Sequence, residues 1–420
     1  MPPDRPVRDL RFRHELYPAS EKLADLASDI VEQVLQREYN LRLRLRQRKP
    51  DALAGLYNAI AVIVANLAHF VVFPGEEPAI LLPLGHARTV QSEPIQPGFG
   101  KGLTAAVEGL QAVGVAVVAL PTEHHQATTI APSAGIRELV LSLALAKEDF
   151  RWRHVRDCIR LTRKDHQGRR WAVPVPMTSE AETHREEMRA INGHLTSADI
   201  TYVGNDPVDT SDRLMTRHFN HPLHEPKPSL DLGGRLFGGF WQRLRRGARQ
   251  HIRINGEATI ELDYGQMFPR LAYAHVQASP PSGDLYALPK LTEVGPEHRS
   301  AVKKAFNALM FKAGVMRIWP PEIAKGLPSD CSVGKFRKAL LARHPFLTDI
   351  LNTGIGYRLM NRESCIMCRV LMGCIALGIT VLPIHDAVLC PASAAFMVQQ
   401  IMADAALHIA GHTVPVSVKT

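Results

Sequence analysis

Cysteine is scarce and poorly placed for cross-linking. There are six in 420 residues, at positions 158, 331, 365, 368, 374 and 390. Cys365 and Cys368 form one C-x-x-C inside a segment that reads as helix, with no second pair at zinc spacing. The expectation is therefore neither disulfide nor zinc, with the cysteines acting as small buried apolar residues. No secretory signal is visible: Met1-Pro2-Pro3-Asp4-Arg5 leads into charged residues with no apolar stretch behind it. Uninterrupted apolar runs are short. Residues 54–73 include Asn58, Asn66 and His69, and residues 366–384 include Arg369 and Pro383. Both fall short of the roughly 20 apolar residues of a clean membrane span, so both read as core elements and no membrane partner is expected.

What is present is a chain long enough for about two or three domains, with 45% hydrophobic and 22% charged residues, the balance of a soluble globular protein. A net charge of +9 favours a polyanionic partner, nucleic acid first, and so a cytoplasmic, nucleoid-associated location. Charge alone does not decide this, because moderately basic proteins without such a partner are common.

Four regions follow from the pattern along the chain. Residues 1–50 are polar and basic. Helix is expected over 20–49, ending in the tail Leu41-Arg-Leu-Arg-Leu-Arg-Gln-Arg-Lys49, which is either a phosphate-contacting arm or a solvated face. Residues 51–148 read as a compact unit with apolar residues at helical spacing over 56–71. Its second amphipathic helix, 103–113, is stopped by Gly114. A strand at 115–120, a polar turn at 121–126 and a return strand at 127–131 follow. This layout resembles winged-helix modules, which contact DNA or other proteins. Residues 149–228 read as a helical, thumb-like connecting region, with a helix at 180–195 capped by Thr178 or Ser179 and a break marked by Pro222, Pro226 and Pro228. Residues 229–420 carry the chemistry.

Within this last region, Gly233-Gly-Arg-Leu-Phe-Gly-Gly-Phe-Trp-Gln242 combines flexible backbone with Arg235, aromatic rings and Gln242. Arg243, Arg245, Arg246, Arg249 and Arg253 follow. Glycines allow close backbone approach, arginines pair with phosphate and rings stack on bases, so the segment reads as a nucleic-acid surface. In Ile260-Glu-Leu-Asp263-Tyr264, a strand would place Glu261 and Asp263 on the face opposite Ile260 and Leu262. In Leu382-Pro-Ile-His385-Asp386-Ala-Val-Leu389, two turn residues between apolar runs suggest a hairpin. A carboxylate partly buried there is costly unless it is paired or binds a metal. Between the two acids, Arg299 and Lys303 share a helix face, continued by Asn307 and Phe311, suited to polyphosphate oxygens and a base. Each segment alone has a bland reading, as a turn residue or a solvated basic helix.

Together, in this order, these segments resemble the palm and fingers of family-A DNA polymerases, over about residues 229–420. Asp263-Tyr-Gly-Gln-Met-Phe-Pro-Arg270 is similar to that family's first motif, Arg299-x3-Lys303 to the start of its fingers helix, and His385-Asp386 to its last motif. Gly234-Arg235-Leu236 is similar to a segment whose arginine contacts the primer-terminal region. Asn361-Arg-Glu-Ser364 sits where the family has a stretch opening a helix before the last motif. The resemblance implies an α/β (α+β) fold, a right-hand polymerase palm with helical fingers and thumb, preceded here by the winged-helix-like domain. It implies a DNA-directed DNA polymerase that extends a DNA primer-template with dNTPs using two Mg²⁺ ions, or Mn²⁺. Asp263, the Tyr264 carbonyl and Asp386 would be the metal ligands. Arg299, Lys303, Asn307, Phe311 and Phe268 would line the nucleotide, and Arg235, Gln242, Arg245, Arg246, Asn361 and His385 would meet DNA.

The sequence also departs from that family. Phe268 and Ala387 stand where the family has carboxylates, the Phe-Gly-x-x-Tyr-Gly part of the fingers motif is absent, and no exonuclease domain is evident. Phe268 could still exclude ribonucleotides by bulk. The alternatives are a primase or RNA polymerase on the same palm, and a non-catalytic winged-helix replication protein that binds DNA.

Overall fold

The computed structural model describes residues 10–44, 46–75, 77–82, 101–120, 128–153, 157–164, 170–222, 227–291 and 294–419. Residues 1–5, the expected turn at 121–126, Ala127 and Pro226 lie outside the described residues.

Strands β1 (Leu10–Arg11) and β2 (Leu16–Pro18) precede α1 (Glu21–Asn40), whose N-cap Ser20 accepts a hydrogen bond from the Leu23 amide. Leu23, Leu26, Ile30 and Val34 recur at helical spacing and are buried. The helix ends at Asn40, not Lys49, and the basic tail runs on outside it, with Arg48 paired to Glu38. Helix α2 (Pro50–Val72) opens on proline, whose missing amide hydrogen is no loss in a first turn. By length and composition alone α2 is long and apolar enough to cross a membrane, which the sequence had suggested it was not. Its most apolar window is, however, 72% buried inside the protein. Then come β3 (Ile80–Leu81), α3 (Lys101–Ala112), β4 (Ala116–Ala119), β5 (Thr129–Pro132), α4 (Ala134–Ser142) and β6 (Phe150–Trp152). Helix, Gly114 and antiparallel β4–β5 ribbon stand in the expected order. The ribbon, however, is half of a four-stranded sheet ordered β1-β3-β5-β4. One core runs from Phe12 to Phe150, so α1, expected in a segment of its own, shares it with α2.

The next stretch, expected to be helical over 149–228, has one helix set among strands: β7 (Ile159–Lys164), β8 (Arg170–Val173), α5 (Ser179–Ser197, capped by Thr178), β9 (Ile200–Tyr202) and β10 (Met215–His221). The cause is period-two alternation; along β10 every second residue from Met215 is buried. β11 (Gly233–Gly238), α6 (Arg246–Arg249), β12 (Ile252–Ile254), β13 (Glu257–Tyr264), α7 (Met267–His275), α8 (Arg299–Phe311), α9 (Pro321–Ala324), α10 (Val333–Arg343), α11 (Gly356–Ala376), β14 (Leu382–Ile384), β15 (Ala387–Pro391), α12 (Ala395–Ala410) and β16 (Val416–Val418) complete the chain. One sheet runs β11-β10-β7-β8; the other runs β14-β15-β13-β12-β9, with β16 also on β13. The expected boundary at 228 cuts both sheets, since β11 pairs with β10 and β12 with β9. A single core holds residues from Ile159 to Val414. Helices packed on mainly antiparallel sheets make the class α+β. The segment 361–364 lies within α11 rather than opening it.

The two cores meet at a buried polar cluster. His69 Nε2 lies 3.0 Å from Asp209 Oδ2, which also accepts from Trp152 Nε1 at 2.9 Å, and Arg13 Nη1 reaches His69 Nδ1 at 3.1 Å. Both ring nitrogens are therefore used by a neutral imidazole. Burial and the neighbouring Arg13 charge pull the His69 pKa down to about 4.

Candidate active site

Strand β13 carries Asp263 one residue from its end, gripped on both edges. Antiparallel β15 sets Asp263 opposite Ala387, and β16 sets it opposite Ser417. Across β14–β15, Ile384 pairs with Ala387, leaving His385-Asp386 as the two-residue turn the sequence suggested. His385 takes the left-handed conformation (φ 57°) that such tight turns require. The Tyr264 amide donates to the Asp386 carbonyl at 3.2 Å, tying the turn to the end of β13. The two acids are thereby brought together. Burial, then the nearby Asp386 charge, pushes the Asp263 carboxyl up, while Lys419 works in the other direction. Asp263 Oδ1 is buried and has no hydrogen-bond partner among the described residues, although such oxygens are normally satisfied. The Tyr264 side chain points the other way, its hydroxyl donating to the Met402 carbonyl at 2.6 Å.

Helix α8 brings the basic face to this turn. The Lys303 ammonium is exposed and close enough to Asp263 and Glu363 to act on both charges. One turn on, Asn307 Oδ1 is buried without a partner, as is the hydroxyl of Tyr286, whose pKa burial and Asp386 both raise. Arg299 is held by Asp284 at 2.6 Å and lies over the Tyr286 ring, half-exposed at the rim. Phe311 packs on Phe268 with ring centroids 5.4 Å apart, and edge-on to Tyr357 at 5.0 Å. Gly356 permits this: a Cβ there would come within 2.7 Å of the Phe311 ring.

A third carboxylate was not recognised in the sequence. Glu363 of α11, only 1% exposed, forms a bidentate pair with Arg235 of β11 at 2.6 and 2.8 Å. Burial raises the Glu363 pKa against the pull of Arg235, and Asp386 adds to the rise. Arg235 also lies over the Phe268 ring at 5.6 Å and senses Asp386. Beneath this pair, wholly buried Arg217 donates to the Gly234 carbonyl at 3.1 Å and to Glu187 at 3.0 Å. Ser364 also donates to the Gly234 carbonyl. Gly234 has φ 84°, and a Cβ on it would sit 2.8 Å from Ser364 Oγ. The glycine is required for β11 to approach α11, which is what brings Arg235 to Glu363.

Asp263, Tyr264, Asp386, His385, Lys303, Arg235, Phe268 and Phe311 are thus linked through contacts or charge, with Asn307 on the same helix face. Desolvation by its packed surroundings, with Arg235 nearby, lowers the His385 pKa although the residue is exposed, and its ring meets Phe237 edge-on at 5.7 Å. Gln242 is engaged within the fold, its amide donating to the Leu236 and Pro383 carbonyls and accepting from the Gly238 amide. Asn361 donates to the Leu230 carbonyl at 2.8 Å. Arg245 and Arg246 lie exposed at the start of α6. Among the described residues no group of three or more His, Cys, Asp or Glu is arranged to hold a metal ion, so the candidate donors are two side-chain carboxylates and backbone oxygen.

No family model matches the chain, and no curated protein matches it. Among solved structures, it is similar to the POL domain of Pol1 from M. smegmatis in complex with DNA primer-template and dNTP. The identity is 12% and the TM-score 0.33, over 96% of this chain and 66% of that one. The chain spans about two thirds of that structure's length. A likeness of this size carries neither family nor activity.

Proposed function

We propose that this protein transfers nucleotides onto a nucleic-acid primer, as a DNA polymerase using dNTPs on a primer-template. The observation that carries the reading is the approach of Asp263 and Asp386 at the end of the β13–β15 ladder, where one Asp263 carboxylate oxygen is buried and unpartnered among the described residues. Hard oxygen donors, few in number, suit Mg²⁺ or Mn²⁺ supplemented by substrate phosphates. When bound, such ions would activate the primer hydroxyl and stabilise the leaving oxygens.

The remaining roles belong to the chain. Asp263 and Asp386, helped by backbone oxygen of Tyr264, would hold the ions. Lys303 would meet the phosphates first, because its ammonium is already exposed beside the carboxylates, and Arg299 would follow by leaving Asp284. The Phe268–Phe311 wall would flank the sugar, and Asn307, with an unused buried oxygen, would offer an acceptor beside it. Arg235, oriented by Glu363, would fix the primer end. The N-terminal unit, with its basic tail and ribbon, would extend the contact with DNA. Catalysis would rest on positioning and electrostatics.

The test is extension of a primed template with dNTPs or NTPs, by purified wild type and by Asp263→Asn and Asp386→Asn. The reading predicts extension by wild type alone. If wild type does not extend, or if both variants match it, the reading fails. Use of NTPs without a primer would favour a primase, and DNA binding without extension would favour a non-catalytic replication protein.

A further inference from the structure

Residue 419 reaches the carboxylates of the candidate active site. Its amide donates to the Glu261 carbonyl at 2.8 Å, continuing the β16–β13 pairing. Asp263 faces Ser417 in that ladder. Lys419, two residues on, therefore projects on the same side of the sheet as Asp263 and Glu261. Its ammonium lies 3.0 Å from Glu261 Oε1 and 3.2 Å from Asp263 Oδ2. Glu261 is also approached by Arg249 at 3.7 Å, so it keeps a cation whether or not Lys419 stays. Asp263 has no second ion-pair partner of that kind among the described residues.

Two acids brought together at a partly buried strand end need compensating positive charge. Lys419 supplies it from within the chain, at the carboxylate a metal ion would also need. An ammonium on a flexible four-carbon stem can withdraw without moving the backbone, and the Lys419 side chain is already 37% exposed.

We propose that Lys419 is a tethered counter-ion of this site: its ammonium neutralises Asp263 until a divalent cation takes that carboxylate, and cation binding frees Lys419 from Asp263. The inference rests on the metal-binding reading given under Proposed function. It makes metal affinity a property set partly by a residue that is not a ligand.

The experiment is a Mn²⁺ titration of the full chain without nucleotide, following unbound Mn²⁺ by electron paramagnetic resonance, for wild type, Lys419→Met and Asp263→Asn. Lys419→Met should bind Mn²⁺ roughly tenfold more tightly, the scale on which residues around a metal site shift its affinity. Asp263→Asn should lose the site. Unchanged or weaker binding by Lys419→Met, with binding still lost in Asp263→Asn, overturns the counter-ion role and leaves the metal site standing. Binding that Asp263→Asn leaves unchanged overturns both. A second measurement on wild type needs no variant to fold: acylation of the Lys419 amine, read by peptide mass spectrometry, should rise severalfold on adding Mn²⁺. Unchanged labelling at saturating Mn²⁺ overturns the proposal.

Discussion

Arg235 and Glu363 offer the sharpest energetic test of the site's framework. Glu363 is almost wholly buried, and both its oxygens are taken by one guanidinium. Removing one partner of such a pair strands the other charge, at a cost of roughly 3–5 kcal/mol. Arg235→Met keeps the aliphatic stem and deletes the charge, so it should lower stability by about that amount. At ~2–4 °C per kcal/mol for a unit of this size, the melting temperature should fall by about 6–20 °C. The loss should also depend on pH. Burial already raises the Glu363 pKa, and without Arg235 it must rise further. With the folded pKa above the unfolded value of about 4.3, the folded state holds the extra proton and stability declines as pH rises through that window. The Arg235→Met penalty should therefore be larger at pH 8 than at pH 5. Replacing both partners should restore much of the loss, because a neutral pair leaves no buried charge. A double-mutant cycle with Glu363→Gln, read by differential scanning calorimetry, should give a coupling of about 2–3 kcal/mol. Additive losses, or a penalty that ignores pH, would refute a buried, charge-balanced pair.

Other outcomes follow from the same geometry. Asp386→Asn and Asp263→Asn should each reduce primer extension by more than the ~10–100-fold typical of outer-shell metal partners. Neither should lower the melting temperature by more than a few degrees, as a circular-dichroism melt will show. Gly234→Ala should destabilise by roughly 1–3 kcal/mol, since φ is 84° and the new methyl meets Ser364 and Phe219; a urea midpoint equal to wild type would contradict the close approach. At the junction of the two cores, His69 stays neutral to about pH 4, against about 6.5 when unfolded. Its contribution is full above the unfolded value and is lost as pH falls towards the folded one. The urea midpoint should thus be lower at pH 5 than at pH 7.5, and His69→Gln should narrow that gap.

Short-range rules made much of this legible in the sequence. Alternation marked β13, a two-residue turn between apolar runs marked the β14–β15 hairpin, and i, i+4 spacing placed Arg299 and Lys303 on one helix face. Caps at Ser20 and Thr178 opened the expected helices. What stayed hidden depended on distant partners. Nothing near Glu363 marks it as a buried acid; its environment comes from Arg235, 128 residues away. Lys419 drew no expectation from the sequence, because its ladder to Glu261 is long-range. Gln242 and Asn361 were expected to meet DNA, yet their amides satisfy backbone carbonyls of the fold, a use that local sequence does not distinguish from ligand contact. The strand-rich 149–228 region was read as helical because charged residues masked its period-two pattern.

The ladder that unites the acids also fixes when they can meet during folding. Cys390 and Ile260, bonded across β13 and β15, are 130 residues apart, with α7 to α11 and β14 between them. Contacts of such range form late, after loop-closure entropy has been overcome. Emerging from the ribosome, the chain would present Asp263 on an unpaired strand edge until residues beyond 386 are made. Assembly of the site therefore waits on this closure: if the site binds Mn²⁺ as proposed, a chain that holds the ion at Asp263 and Asp386 has already paired β13 with β15.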